Sequence, residues 1–306
     1  MKSSSSYPDS YYDCELVTAA RWHDSIGDIA LEQVTLEQLA SRGLSVMPAD
    51  KPSNKAPAVI GPGAILTGER QGIWWNALKD YHASGCHILN SVSVASEGDF
   101  SYLKDYLYVS VRDYLSWDKV SPFCDAVVMP CPTVLMEAPD IEQYRGYPNA
   151  HHLDEACRGE FCILDRGLAN IKTDIPSVNV NTRPWMGEAK GVEFFHRNPR
   201  VLAAYVSAAS FVFCSTLHLS IIACAVGTPF VYYETGSHGK GWNYWGRAEF
   251  YDCMVSSHEE LTLKKVESLS GKFSAVRASE KGLAETHIGN IFRAIVHGNR
   301  RNECCP

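Results

Sequence analysis

The chain has 306 residues, 45% of them apolar and 21% charged, with a formal net charge of −7. That length suits about two domains, and the apolar share excludes a largely disordered chain. The acidic balance lacks the basic footprint that a nucleic-acid binder carries.

The opening stretch, residues 1–14, is polar and reads as a disordered N-terminus without the apolar centre of a secretory signal. A first α/β domain is expected over 15–136. Apolar spacing from Ile29 to Leu39 predicts a helix, with Gly27 in the loop before it and Asp28 as its N-cap. Ala58–Ile60 reads as a buried strand that opens into Gly61-Pro62-Gly63. A helix over 74–82 and strands at 87–89, 106–111 and 125–129 complete this half. Strands separated by helix-length segments imply a parallel sheet.

Residues 137–176 break the rhythm and read as a connecting region with an insertion. Within it His151, His152, Cys157 and Cys162 form a loose group, but no second paired set follows to make a zinc site. A second domain is expected over 177–306. Its strands are predicted at 177–181, 211–214 and 230–233, its helices at 199–209, 219–226 and about 279–296. Ile288, Ile291, Phe292 and Ile295 share the apolar face of the last helix. Residues 201–233 hold no charged side chain, a length that permits a membrane span. The hydroxyl residues and the Gly227-Thr228-Pro229 break within it favour a buried helix–strand unit, so no transmembrane segment is expected. The 11 cysteines are odd in number and scattered, which argues against a disulfide framework and for a reducing, cytoplasmic setting. The plan is two Rossmann-like doubly wound halves, with ligand in the cleft outside the carboxyl ends of their strands.

Four loops follow predicted strands and carry the candidate chemistry. Gly27 permits close backbone approach beside the free N–H groups of a helix start; an ordinary helix cap is the plainer reading. Gly61 and Gly63 form either a binding loop or a simple turn. Arg112, before Asp113, can clamp a carboxylate or phosphate, or pair with an acid, and Arg183 offers the same two readings in the second half. The sharpest loop is Ser215-Thr216-Leu217-His218, where a strand delivers two hydroxyls and an imidazole to a helix start. That set suits an anion and general acid–base chemistry; a buried histidine satisfied by a carbonyl is the alternative. Further on, Gly236 to Trp245 mixes glycines with Trp242, Tyr244 and Trp245. These read either as a sugar platform or as a packed loop, with Lys240 and Arg247 as further anion contacts.

In order, these motifs resemble the polysaccharide pyruvyltransferase family over roughly residues 15–256. Ser25-Ile26-Gly27-Asp28 resembles its Asn-x-Gly-Asp, Val59 to Leu66 its strand and glycine turn, and Ser110 to Ser116 its SxRDxxS stretch. Asn181 to Trp185 is similar to the segment that opens its second half. Ser215 to His218, through Ala225 to Pro229, is similar to its LHG…A…G.P block, and Phe250-Tyr251-Asp252 to its Phe-x-Asp. Thr216 stands where many members have Arg, and Leu219 where the family has Gly, which implies a tighter approach at His218.

The resemblance implies an architecture similar to glycosyltransferase-B enzymes and transfer of the pyruvyl (carboxyvinyl) unit of phosphoenolpyruvate to a sugar of a glycan or polysaccharide precursor. The product is a pyruvate ketal, and the chemistry requires no metal or organic cofactor. On this reading His218 is the general acid and Asp28 or Asp113 the base. Arg112 and Arg183 hold carboxylate and phosphate, with Gly27, Gly61, Gly63, Ser215, Thr216 and Lys240 as further substrate contacts. Two rivals remain at this point. A nucleotide-sugar glycosyltransferase would use Glu234 as its ribose acid, and a non-catalytic carbohydrate-binding relative would explain Thr216 and Leu219.

Overall fold

The computed structural model describes residues 12–18, 25–53, 56–61, 63–66, 87–144, 160–182, 192–194, 198–234 and 239–303. Short Val-, Ile- and Phe-rich runs form two parallel sheets. The first holds β1 (Cys14–Val17), β2 (Val46–Ala49), β3 (Ala58–Ile60), β4 (Gly63–Leu66), β5 (His87–Val94), β6 (Tyr108–Val111) and β7 (Ala126–Val128). Its order is β2-β1-β3-β5-β6-β7, with β4 also on β5. The second holds β8 (Cys162–Asp165), β9 (Ser177–Asn181), β10 (Val192–Phe194), β11 (Phe211–Cys214), β12 (Phe230–Tyr233) and β13 (Met254–Val255), in the order β10-β9-β8-β11-β12-β13. Every pair is parallel, for example Glu15 beside Ala58 and Phe211 beside Cys162. Parallel strands covered on both faces tolerate continuous apolar runs, and β11 and β12 are almost wholly buried.

The expected connector therefore contributes a middle strand. Phe161 to Leu164 is an apolar run ending on Asp165, and as β8 it sits between β9 and β11. In each sheet the chain order reverses beside the first strand: between β1 and β3, and between β8 and β11. Ligands of doubly wound sheets bind at such reversals, outside the carboxyl ends. The two helices that leave these points are α1 (Ile26–Ala40), after β1, and α4 (Leu217–Val226), after β11. The other α-helices among the described residues are α2 (Tyr114–Val120), α3 (Pro199–Ala208), α5 (Lys240–Arg247) and α6 (Leu263–Glu303); the helix expected over 74–82 lies outside the described residues.

One apolar cluster spans both halves, from Leu16 and Leu31 to Phe213, Trp245 and Ile291. The segment between the sheets is part of it, with Thr133 and Val134 fully buried. Helix α6 is 41 residues long, far more than the expected 279–296. Its first third is charged and packs on the second half. There Arg277 Nε donates to the Cys224 carbonyl (3.1 Å), closing the C-terminal end of α4 beside Gly227, whose φ is +93°. Further on, α6 crosses back to the first sheet. His287 is fully buried between β5 and β6, with Nε2 2.8 Å from Asn90 Oδ1 and Nδ1 3.1 Å from the Tyr108 hydroxyl. Asn290 Nδ2 in turn donates to that hydroxyl, at 3.4 Å. These partners suit a neutral ring that donates from Nε2 and accepts at Nδ1.

Burial pushes the His287 pKa down to about 3. In the unfolded chain the ring titrates near about 6.5. The stability held in its neutral form is therefore present above about pH 6.5 and lost as pH falls from there towards 3. We expect stability from urea titrations to fall by up to about 1.4 kcal/mol per pH unit below pH 6 from this group. His287→Gln should lack that component; an unchanged acid slope in the variant would refute the assignment.

Candidate active site

The site is built where the two reversals meet. Helix α1 begins at Ile26 with Ser25 as N-cap, one turn earlier than the apolar spacing suggests, so Asp28 lies in the first turn and is not the cap. Gly27 is likewise helical. Its Cα abuts the His218 ring: a Cβ built there would lie 1.9 Å from His218 Cγ and 2.0 Å from Nδ1. His218 is the second residue of α4, and its Nε2 is buried. The Ile26 N–H also reaches across to the Thr182 carbonyl (3.4 Å), just past β9. Thr182 Oγ1 is 3.2 Å from Thr216 Oγ1, and Thr216 is the N-cap position of α4, without a side-chain cap bond. Two helix N-termini thus converge on one imidazole. Their positive dipole ends favour an anion between them.

Leu219, at the position where a glycine would ease approach, points into the core and is fully buried. The close approach comes from the Gly27 side instead.

Arg112 follows β6 and is buried. Its Nε donates to Ser93 Oγ, and the Ser93 hydroxyl donates to Asp113 Oδ2 (3.2 Å). No Arg112–Asp113 ion pair is present among the described residues. A bulge aims this end of β5: the register shifts between Leu89 and Val92, and Ser91 adopts φ +49°. The Ser91 N–H donates to Ser110 Oγ (2.8 Å) and the Ser91 hydroxyl to the Met129 carbonyl (3.0 Å). Cys131, just past β7, is fully buried. Burial pushes its thiol pKa up, Thr133 hydrogen bonds and Arg112 pull it down, and Asp28 pushes it up again. Gly27, Thr182, Thr216 and His218 meet between the halves, with Asp28 in the same first turn as Gly27.

Other expected site residues do different work. Asp113 caps α2, with Oδ1 accepting the Ser116 N–H at 2.7 Å. Its oxygens accept that bond and one from the Ser93 hydroxyl. Asp113→Ala should cost about 1 kcal/mol in thermal or urea unfolding, whereas Asp113→Asn, an equally good cap, should keep both fold and activity. Loss of turnover in a well-folded Asn variant would restore Asp113 as the base.

Ser215 donates from both its N–H (3.1 Å) and its hydroxyl (2.9 Å) to Asp165 Oδ2, which ties β11 to β8. Asp165 escapes the sequence reading, although an acid closing a short apolar run is the available signal. Gly61, with φ +139°, passes so close to β5 that a Cβ would lie 2.4 Å from the Asn90 carbonyl oxygen. Gly63 opens β4 opposite Val92. Both glycines thus lie at the edge of, or within, the first sheet.

In α5, Tyr244 and Trp245 are core residues, and Arg247 is buried against Glu280 of α6 with its guanidinium over the Tyr244 ring (5.0 Å). They provide neither sugar platform nor surface cation. Trp242 remains exposed, and Lys240 lines a cavity between the halves. Arg183, with His151, His152 and Cys157, lies outside the described residues. Among the described residues no cluster of His, Cys, Asp and Glu could hold a metal ion, and no helix is long and apolar enough to cross a membrane.

A family model for polysaccharide pyruvyl transferase matches residues 26–237, from the first turn of α1 to beyond β12. The chain belongs to the polysaccharide pyruvyl transferase family. It is accordingly a transferase, and the matched span contains Gly27, Asp28, Arg112, Thr182, Thr216 and His218. No curated protein matches the chain in sequence. Among solved structures, a functionally uncharacterised protein from Klebsiella pneumoniae is 14% identical, covering 80% of this chain and 92% of its own, at a TM-score of 0.48. A UDP-forming trehalose-phosphate synthase from Burkholderia vietnamiensis is 9% identical, covering 89% and 78%, at 0.45. WaaG, a glycosyltransferase involved in lipopolysaccharide biosynthesis, is 10% identical, covering 85% and 91%, at 0.37.

Proposed function

We propose that this pyruvyl transferase takes the pyruvyl unit from phosphoenolpyruvate and places it on two hydroxyls of a sugar in a glycan or polysaccharide precursor, as a cyclic ketal. The convergence of two helix N-termini on His218 carries the reading. It supplies positive dipole ends and a proton-carrying side chain at one point, as a doubly charged donor requires.

On this reading Arg112 and Arg183 hold the donor's carboxylate and phosphate. His218 gives a proton to the vinyl carbon, which leaves an electron-poor carbon that the first sugar hydroxyl attacks. Asp28 takes the proton of that hydroxyl. Phosphate then departs with the proton that Asp28 took, and the second hydroxyl closes the ring as its proton returns to His218. Thr216 adds a hydroxyl donor where many relatives place an arginine, with Thr182 Oγ1 beside it. No metal or organic cofactor enters these steps.

The nucleotide-sugar alternative gains no support from Glu234. Its carboxylate accepts the Gly241 N–H at 3.0 Å and so holds the start of α5. Phosphoenolpyruvate should raise the thermal midpoint of the protein and UDP- or GDP-sugars should not. Stabilisation by a nucleotide sugar alone would overturn the proposal.

A further inference from the structure

Helix α5 sends its aromatic side chains two ways. Tyr244 and Trp245 are buried, whereas Trp242 is 40% exposed. The backbone after the helix then folds a second ring back towards Trp242. The Phe250 N–H donates to the Trp245 carbonyl (2.8 Å) and the Glu249 N–H to the Gly246 carbonyl (3.0 Å), while the Phe250 and Trp245 rings meet edge to face. These are the two bonds and the apolar contact of a Schellman turn. The turn needs a left-handed residue at Glu249, φ +54°, where glycine is usual. The chain leaves it as a short 3₁₀ turn, Tyr251–Cys253, with Tyr251 55% exposed. The Tyr251 ring lies against Gly246, one helical turn beyond Trp242: a Cβ at Gly246 would come 2.7 Å from Tyr251 Cε1. The Trp242 and Tyr251 ring centroids are 6.2 Å apart and their planes 34° apart.

The pair is thus set out in water by a glycine and a strained glutamate. Backbone strain of this kind persists only where the surrounding structure fixes it, and it clusters at ligand sites. The rim of the pair is charged. Glu249 is exposed, and the exposed side chains of Asp252 and Lys272 pair at 2.9 Å. Protein interfaces also favour aromatic rings, but they are depleted in lysines and carboxylates. A sugar matches both surfaces. Its C–H face lies on the electron-rich face of an aromatic ring, and the hydroxyls around its edge hydrogen-bond to carboxylates. The position fits as well. Asn243, next to Trp242 in α5, lines a cavity of about 230 Å³ between the halves, which Ser93 and Leu115 line from the first half. Ser93 also accepts from Arg112 Nε. The aromatic pair therefore begins one residue from the wall of a cavity that adjoins the candidate donor site.

We propose that Trp242 and Tyr251 form a stacking platform for a further sugar unit of the acceptor, next to the unit that receives the pyruvyl group. The inference rests on the reading of the acceptor as a glycan or polysaccharide precursor. It makes the site a reader of chain length: an acceptor of two or more sugars reaches the platform and a single sugar does not.

Calorimetric titration of the full chain tests it. The probes are neutral oligosaccharides of galactose, glucose and mannose, from the single sugar to a few units, and phosphoenolpyruvate. In at least one series affinity should rise about tenfold or more from the single sugar to the longer chains. Trp242→Ala and Tyr251→Ala should each remove most of that gain, and the double variant all of it, with circular dichroism and thermal midpoint unchanged. Affinity for the single sugar and for phosphoenolpyruvate should persist in all three. Trp242→Phe, which keeps an aromatic face, should retain most of the gain. No gain with length in any series would overturn the proposal, as would a gain that survives in the double variant. A wild type that sediments as a dimer and a double variant that sediments as a monomer would assign the rings to a subunit interface and also overturn it. A length gain that depends on both rings, with no phosphoenolpyruvate binding to the wild type, would remove the donor reading alone.

Discussion

His218→Gln should lower turnover of phosphoenolpyruvate by about 10²–10⁴-fold, the usual worth of a positioned general acid or base, and leave the fold intact. Glutamine fills a similar volume and keeps a hydrogen-bonding end, but it cannot deliver a proton. His218 is only partly exposed at the second position of α4, next to two helix starts. Because an acid acts on the reacting atoms, the loss should fall on kcat, with the KM for phosphoenolpyruvate changed far less. Steady-state phosphate release at saturating acceptor separates the two. A variant within a few-fold of wild-type kcat would show that His218 is a packing residue.

Gly27→Ala tests the same geometry from the opposite side, and its sign is informative. In an open helix, replacing glycine with alanine stabilises by about 0.5–1 kcal/mol, because the glycine chain gives up more freedom on folding. Gly271 and Gly282 of α6 should behave so, since a methyl group at either would meet no atom within 4 Å. At Gly27 the methyl would fall inside the His218 ring, 1.9 Å from Cγ. Neither partner can yield easily: the ring is confined by α4 and the glycine by α1. Overpacking of this kind costs about 1–3 kcal/mol, so Gly27→Ala should destabilise where the other two stabilise. It should also reduce kcat nearly as far as His218→Gln, since the ring is expelled from its place. Adding His218→Gly to Gly27→Ala, which also removes the His218 Cβ that would lie 2.4 Å from the new methyl, should relieve the overpacking, giving a coupling of about 1 kcal/mol or more. Additive behaviour would show that the two residues do not touch.

The parts of this design legible in the sequence are those where local pattern and tertiary role agree. The Phe211–Cys214 strand, the loop to His218 and the helix ending at Gly227 are plain. Their residues are apolar by strand and helix rules, and the glycine closes the helix in a left-handed conformation. The reversals in strand order, and so the site between them, follow from the βα rhythm.

What is hidden depends on distant partners. β8 is four residues in a polar stretch and gains its identity only from flanking β9 and β11. The first turns of α6 carry lysines and glutamates that read as a solvated stretch. Their helicity is sustained by Val266, Leu269 and Phe273 against the second half. Arg247 resembles a surface cation until Glu280, 33 residues later, is placed beside it. Asp113 is a carboxylate next to an arginine in sequence, yet a capping group in space. The contact of Gly27 with His218 joins residues 191 positions apart, and no local pattern announces it.

The most direct measurement is acceptor-dependent phosphate release from phosphoenolpyruvate, with sugar phosphates, uronic acids and neutral glycosides as acceptors and mass analysis of the product. We expect stoichiometric phosphate, an acceptor heavier by one pyruvate ketal, and loss of both signals in His218→Gln. Phosphate released without an acceptor adduct, or at the same rate in the His218 variant, would contradict pyruvyl transfer at this site.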